Sequence, residues 1–207
     1  MTTLAEKRAH WRTLMPYQSG LLTLVGILTA AALSLGHQAT QAPIAASLRK
    51  DMQASLSQVL PAGSFDNALL TSTLTRPASD GPRTVYVAQK AGAVTGLVFQ
   101  VSGKGYAGAI RIVMGISPDG QVLGVRVISH TETPGLGDKI EAQRSNWIEA
   151  FVGKTLDSAK WAVKKDGGEF DQFAGATITP RAVVRAVHEG LQWYAANRAE
   201  ILKEAAK

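Results

Sequence analysis

One uninterrupted apolar run dominates the hydrophobic pattern of the chain: Gly20 to Gly36 reads GLLTLVGILTAAALSLG, with no charged residue between Arg12 and Arg49. At about 1.5 Å per helical residue the run covers about 26 Å, and extending it from Tyr17 to His37 brings it near the roughly 30 Å of a bilayer's hydrocarbon core. The pattern therefore predicts one membrane-spanning helix over residues 20–37. From Pro43 to Leu60, Ala46, Leu48, Met52, Leu56 and Val59 fall close to helical spacing until Pro61 and Gly63 stop it. Residues 38–83 read as a short membrane-proximal helix and a linker, with Pro77, Asp80, Gly81 and Pro82 marking a loop.

After Arg83 the period shortens to two. TVYVAQK (Thr84–Lys90), AVTGLVFQV (Ala93–Val101), GAIRIVMGI (Gly108–Ile116) and QVLGVRVISH (Gln121–His130) predict four strands, the last two joined by a Ser117-Pro118-Asp119-Gly120 turn. Ile110, Ile112, Met114 and Ile116 share one face, as do Leu123, Val125 and Val127, so an antiparallel meander with one buried face is expected. Asp138 is then placed to cap a helix carrying Ile140, Trp147, Ile148 and Phe151 and ending near Gly153. Trp161 to Val163 suggest a further strand. A final helix from Pro180 carries Val184, Val187, Leu191, Tyr194 and Leu202 on its inward stripe. Residues 84–207 thus read as one α+β domain.

Charge places this domain. Lys7, Arg8, His10 and Arg12 precede the apolar run, opposed only by Glu6, so residues 1–19 are expected in the cytoplasm and the rest outside it. A cleaved signal peptide is the competing reading, with Ala39 and Ala42 as small residues near a cleavage point. The run exceeds the roughly 7 to 15 apolar residues of a signal core, which favours an uncleaved anchor. The net charge of +6 over 207 residues is moderate and partly N-terminal, so nucleic acid is not an expected partner. The chain has no cysteine. That excludes thiolate-ligated iron–sulfur clusters, disulfides, Cys-X-X-Cys-His haem attachment and a cysteine nucleophile, so redox chemistry requires an organic cofactor.

Two stretches are rich in special residues. His130 to Asp138, HTETPGLGD, leaves a strand, and Pro134, Gly135 and Gly137 allow a tight path on which main-chain N–H groups approach a ligand closely. A simple strand-to-helix connection is the other reading. Asp171 to Arg181, DQFAGATITPR, runs into the last helix, with Thr179 as candidate N-cap and Pro180 at the first helical position. Thr177 then sits just ahead of a helix terminus that favours an anion, Arg181 adds a full charge, and Gly175 and Ala176 leave room beside the hydroxyl. An ordinary capping threonine is the alternative. His130 and Glu132 are two potential ligands without a third, so no metal site is expected. Gly103 to Gly108, GKGYAG, is only superficially a phosphate loop, because a strand follows it.

TETPGLGDKIE (Thr131–Glu141), WAVKKDGG (Trp161–Gly168) and FDQFAGATITPRAVV (Phe170–Val184), in this order, resemble the G subunit of the Rnf ion-translocating electron transport complex. The resemblance covers the whole chain, including the N-terminal anchor and GYAGAI at Gly105–Ile110. It implies an electron-transfer component of a translocating oxidoreductase, with an FMN-binding domain exposed to the periplasm from a single anchor in the bacterial inner membrane. It also implies covalent FMN, joined by a phosphoester to Thr177 by a flavin transferase that uses FAD and magnesium. Other subunits of the membrane complex are the implied partners, and no catalytic group beyond the flavin is implied. Asp171 takes the motif's acidic position, and Thr133, Gly135, Leu136 and Gly137 are expected against the isoalloxazine, with Lys165 a neighbour. Ala174 departs from the serine or threonine often found there. The C subunit of the sodium-translocating NADH:quinone oxidoreductase is the nearest alternative, with GDKI from Gly137 and DGGEFDQF from Asp166 favouring Rnf. A membrane-anchored binding or assembly module with an unmodified Thr177 is the alternative of a different class.

Overall fold

The computed structural model describes residues 15–205; the cations Lys7, Arg8 and Arg12 lie outside them. The chain divides into two compact units, Met1–Lys50 and Asp51–Lys207.

Helix α1 (Met15–Ser57) supplies the described part of the first unit. Its apolar stretch runs from Pro16 to Gln41, 26 residues that at about 1.5 Å each cover about 39 Å. Leu22, Ile27, Leu28 and Leu33 are exposed along it. The hydroxyls of Thr23, Thr29 and Thr40 donate to the carbonyls of Ser19, Val25 and Gly36 at 2.8, 2.8 and 2.9 Å. These polar atoms are thus satisfied within the helix, as a hydrocarbon surrounding requires. The sequence pattern predicts an anchor and a separate helix starting at Pro43; the helix instead continues through Pro43, which removes one main-chain donor without ending it.

The second unit is built on a five-stranded antiparallel meander in the order β1 (Thr73–Ala78), β2 (Gly81–Lys90), β3 (Ala93–Lys104), β4 (Ala109–Ile116) and β5 (Val122–Ser129). The SPDG turn forms as expected, with the Ser117 amide donating to the Gln121 carbonyl at 2.8 Å. Strand β1 falls where the sequence pattern predicts linker. Its Pro77 pairs in register with Pro82 of β2, so two residues that suggest a loop in sequence sit opposite each other on an edge hairpin, where their missing donors cost least.

Helix α2 (Ile178–Ala205) packs on one face of the sheet, burying Val183, Val187, Leu191 and Tyr194 against Phe99, Val101, Ile112 and Met114. A second core on the other face joins Leu56, Val59, Leu60 and Leu69 to Ala88, Val98 and Val113. Two expected elements differ. Asp138–Phe151 forms two short 3-10 turns, Asp138–Ile140 and Asn146–Phe151, in place of one α-helix. Asp138 makes no side-chain cap, whereas the Ser145 hydroxyl accepts the Trp147 amide at 3.0 Å and restarts the chain. The expected strand at Trp161–Val163 is a single parallel bridge from Val163 to Phe170, followed by a 3-10 turn that Gly167 closes.

Tertiary packing of aromatics overrides the helical spacing. Phe151 stacks on Phe170 with centroids 4.6 Å apart, and Trp147 meets Phe151 and Phe173 edge-on at 5.3 and 5.2 Å. The Trp147 indole N–H donates to the Asp171 carbonyl at 2.7 Å. This cluster fixes the irregular segment that leads into α2.

Candidate functional site

Three segments meet at the N-terminal end of α2: the β3–β4 turn at Gly105–Gly108, the loop after β5, and Gly175–Thr179. They enclose a cleft of about 290 Å³ lined by Tyr106, Glu132, Thr133, Leu136, Gly137 and the run from Gly175 to Thr179. That volume is at the lower end for small-molecule sites, and the cleft is open on one side, so it suits part of a larger ligand. Leu136, Ile178 and Tyr106 are 44%, 46% and 74% exposed, giving an apolar rim that water contacts. A wider groove of about 600 Å³ runs along α2 past Trp161 and Arg185 and meets the cleft at Ile178.

The three segments are tied together by one carboxylate. Glu132 is only 5% exposed. Its oxygens accept the amides of Ala107 at 3.0 Å and Tyr106 at 3.2 Å, and the buried Thr179 hydroxyl donates to Oε2. Desolvation alone would raise its pKa. The hydrogen bonds from Thr179, Ala107 and Tyr106 together outweigh that penalty and hold the carboxyl below its ordinary value. Glycine makes this approach possible: a Cβ on Gly105 would fall 2.4 Å from Glu132 Oε1, and one on Gly137 2.8 Å from the Glu132 Cβ. His130 turns elsewhere. Its Nδ1 accepts the Glu132 amide at 3.1 Å, so Nε2 carries the proton toward Glu141, 2.6 Å away.

The residues that the sequence marks as candidates divide into two groups. Thr133, Leu136, Gly137, Gly175, Ala176, Thr177 and Thr179 line one cleft. Arg181, Lys165, Asp171 and Gly135 do not line it. The Arg181 guanidinium grips Asp166 through two bonds of 2.5 and 2.6 Å, which raises its own pKa and lowers that of Asp166. Asp171 pairs with Lys164 at 2.6 Å on the surface, and the Lys165 amide donates to Gln172 at 3.2 Å. Thr179 is not the N-cap. The Thr177 carbonyl accepts the Arg181 amide at 3.5 Å, so Thr177 is the cap residue just before the helix starts at Ile178, and Pro180 falls in the first turn, where a helix has no use for its missing N–H.

Sequence reasoning missed Glu132 as the fastener, along with Tyr106 and Ile178. The signal was the pair of glycines flanking Tyr106-Ala107: two side-chain-free positions in a hairpin turn mark the close approach of another group.

Residues 105–192 match the model of the FMN-binding domain. The chain is 50% identical over 197 residues to the G subunit of the ion-translocating oxidoreductase complex of Cereibacter sphaeroides strain ATCC 17029, covering 93% of this chain and 90% of that protein. It is 48% identical over 192 residues to the protein of the same name in Pseudomonas aeruginosa strain UCBPP-PA14, with 88% of each covered. Among solved structures, NqrC of Shewanella oneidensis aligns with a TM-score of 0.49 at 24% identity, over 67% of this chain and 75% of that one.

Proposed function

The chain belongs to the family of the G subunit of ion-translocating oxidoreductase complexes, and on that premise we propose that it carries FMN covalently on Thr177 and relays electrons within such a membrane complex. The observation that carries this reading is the position of Thr177: it lines the cleft at the N-terminus of α2.

The residues fit that group. A phosphodiester on the Thr177 oxygen would meet the first-turn amides of α2 and the positive end of its dipole. Gly175 and Ala176 leave the approach to the hydroxyl open, and Leu136, Ile178 and Tyr106 offer apolar surface for a planar ring. Arg181 enters this account through Asp166; its charge serves the phosphate only at a distance or after that pair opens. A bound FMN supplies one- and two-electron redox chemistry that no side chain here can perform. The chain's own part is to hold the phosphate, to offer apolar surface to the ring, and to keep the ring at a surface within reach of partner subunits. A flavin transferase acting outside the cytoplasm would form the ester, and the other subunits of the complex would supply and accept electrons.

Covalency is tested by denaturation. Full-length protein produced with a flavin transferase should keep flavin fluorescence on the chain after boiling in detergent and electrophoresis; fluorescence that leaves with the dye front would contradict the proposal. The periplasmic orientation rests on the charge asymmetry around the apolar stretch. A phosphatase reporter that works only outside the cytoplasm should be active when fused after Lys207. Activity confined to a reporter requiring the cytoplasm would reverse the topology.

A further inference from the structure

Among the described residues Glu132 is the one buried carboxylate facing the cleft, and neither electron relay nor phosphoester formation uses it. It joins the β3–β4 turn, its own loop and the first turn of α2, and no cation pairs with it among the described residues. Hydrogen bonds from two amides and a hydroxyl stabilise the ionised form while leaving its full negative charge at the cleft wall. We infer that Glu132 is a positioning residue whose fixed negative charge lowers the reduction potential of a flavin held in the cleft. The inference rests on the FMN reading above.

The physical argument is direct. Reduction adds electrons to the ring, and an ionised carboxylate on the same wall opposes that addition. A unit charge acting across such a cleft, at the intermediate effective dielectric of a protein surface, changes the equilibrium by about tenfold. For a two-electron couple that corresponds to about 30 mV. The Thr179 hydroxyl and the two amides also set where Tyr106 stands, so the same carboxylate shapes the rim.

The test is a spectral redox titration at pH 8 of the full-length, flavin-loaded protein in detergent, comparing wild type with Glu132→Gln and Glu132→Asp. Glutamine keeps the shape and its carbonyl can still accept the Tyr106 amide and the Thr179 hydroxyl, while its NH2 replaces the oxygen that accepts Ala107 and the charge is lost; its reduction equilibrium should rise about tenfold. Aspartate keeps the charge and should stay within about threefold of wild type. A glutamine variant at the wild-type potential, or glutamine and aspartate variants shifted together, overturns the inference. If the glutamine variant takes up no flavin, Thr179→Val decides, because it leaves the carboxylate charged and less neutralised. Its potential should fall, and a rise overturns the inference. Wild-type protein that carries no flavin after coproduction with the transferase defeats the underlying FMN reading instead, and intact mass recorded before each titration separates the two failures.

Discussion

Phe151→Ala is expected to lower the stability of the second unit by about 3–5 kcal/mol, the usual cost of emptying a fully buried aromatic site. At the scale of a domain of this size, 1 kcal/mol moves the melting temperature by about 2–4 °C, so a fall of roughly 10 °C is expected. Phe151 is wholly buried. It stacks on Phe170 at 4.6 Å, faces Trp161 at 6.2 Å and meets Trp147 edge-on at 5.3 Å. These partners come from three irregular stretches with few main-chain ladders of their own, so neighbouring strands cannot collapse readily into the space left. Phe151→Leu should cost less than half as much. Thermal unfolding of the full chain in detergent, followed by near-ultraviolet circular dichroism, gives the comparison; a melting temperature within about 2 °C of wild type would show that the cluster does not hold the segment.

The same cluster explains why part of the fold was hidden in the sequence. From Asp138 to Phe151 the apolar residues recur at helical spacing, and Ile140, Trp147, Ile148 and Phe151 are all buried. Spacing identified the buried residues but not the backbone conformation. Two tryptophans and three phenylalanines drawn from positions 147–173 satisfy one another across the chain, and short 3-10 turns deliver them where an α-helix would not. Strand β1 was hidden for a different reason. Proline is read as a strand breaker, yet Pro77 and Pro82 face each other at the end of an edge hairpin, and the Asp80 carboxylate grips Arg83 at 2.9 Å. The central strands were legible because alternation and a Pro-Asp-Gly turn are local signals, but the single buried face expected from alternation was not: Val98 and Val113 bury in a second core on the other face, and Leu123 packs against that core, next to a register shift, while Val125 and Val127 stay with the first.

The site shows the same division. The TPGLG loop and the GAT run are distinctive in composition, and the fold brings both to one cleft. Arg181 looked like a phosphate partner because sequence gives proximity to Thr177 but not the competing acid. Asp166, fifteen residues earlier, reaches it first. Glu132 was visible only as half of a weak metal pair, since its real partners, two amides of a distant turn and a buried threonine, carry no sequence signature beyond the glycines that admit it.

The second large effect concerns Thr177 itself. The phosphoester needs an oxygen at that position, and alanine removes only the hydroxyl and methyl groups beyond Cβ, at a half-buried site on the cleft's edge. The domain should fold unchanged while flavin incorporation falls to nothing. Thr179 cannot substitute, because its hydroxyl is buried and donates to Glu132. Intact mass of the full chain, produced with and without a flavin transferase, is therefore the most direct test. Wild type should gain the mass of one FMN less one water only when the transferase is present, and Thr177→Ala should gain nothing in either case. An unchanged wild-type mass, or a gain that survives in the alanine variant, would contradict covalent flavin at Thr177.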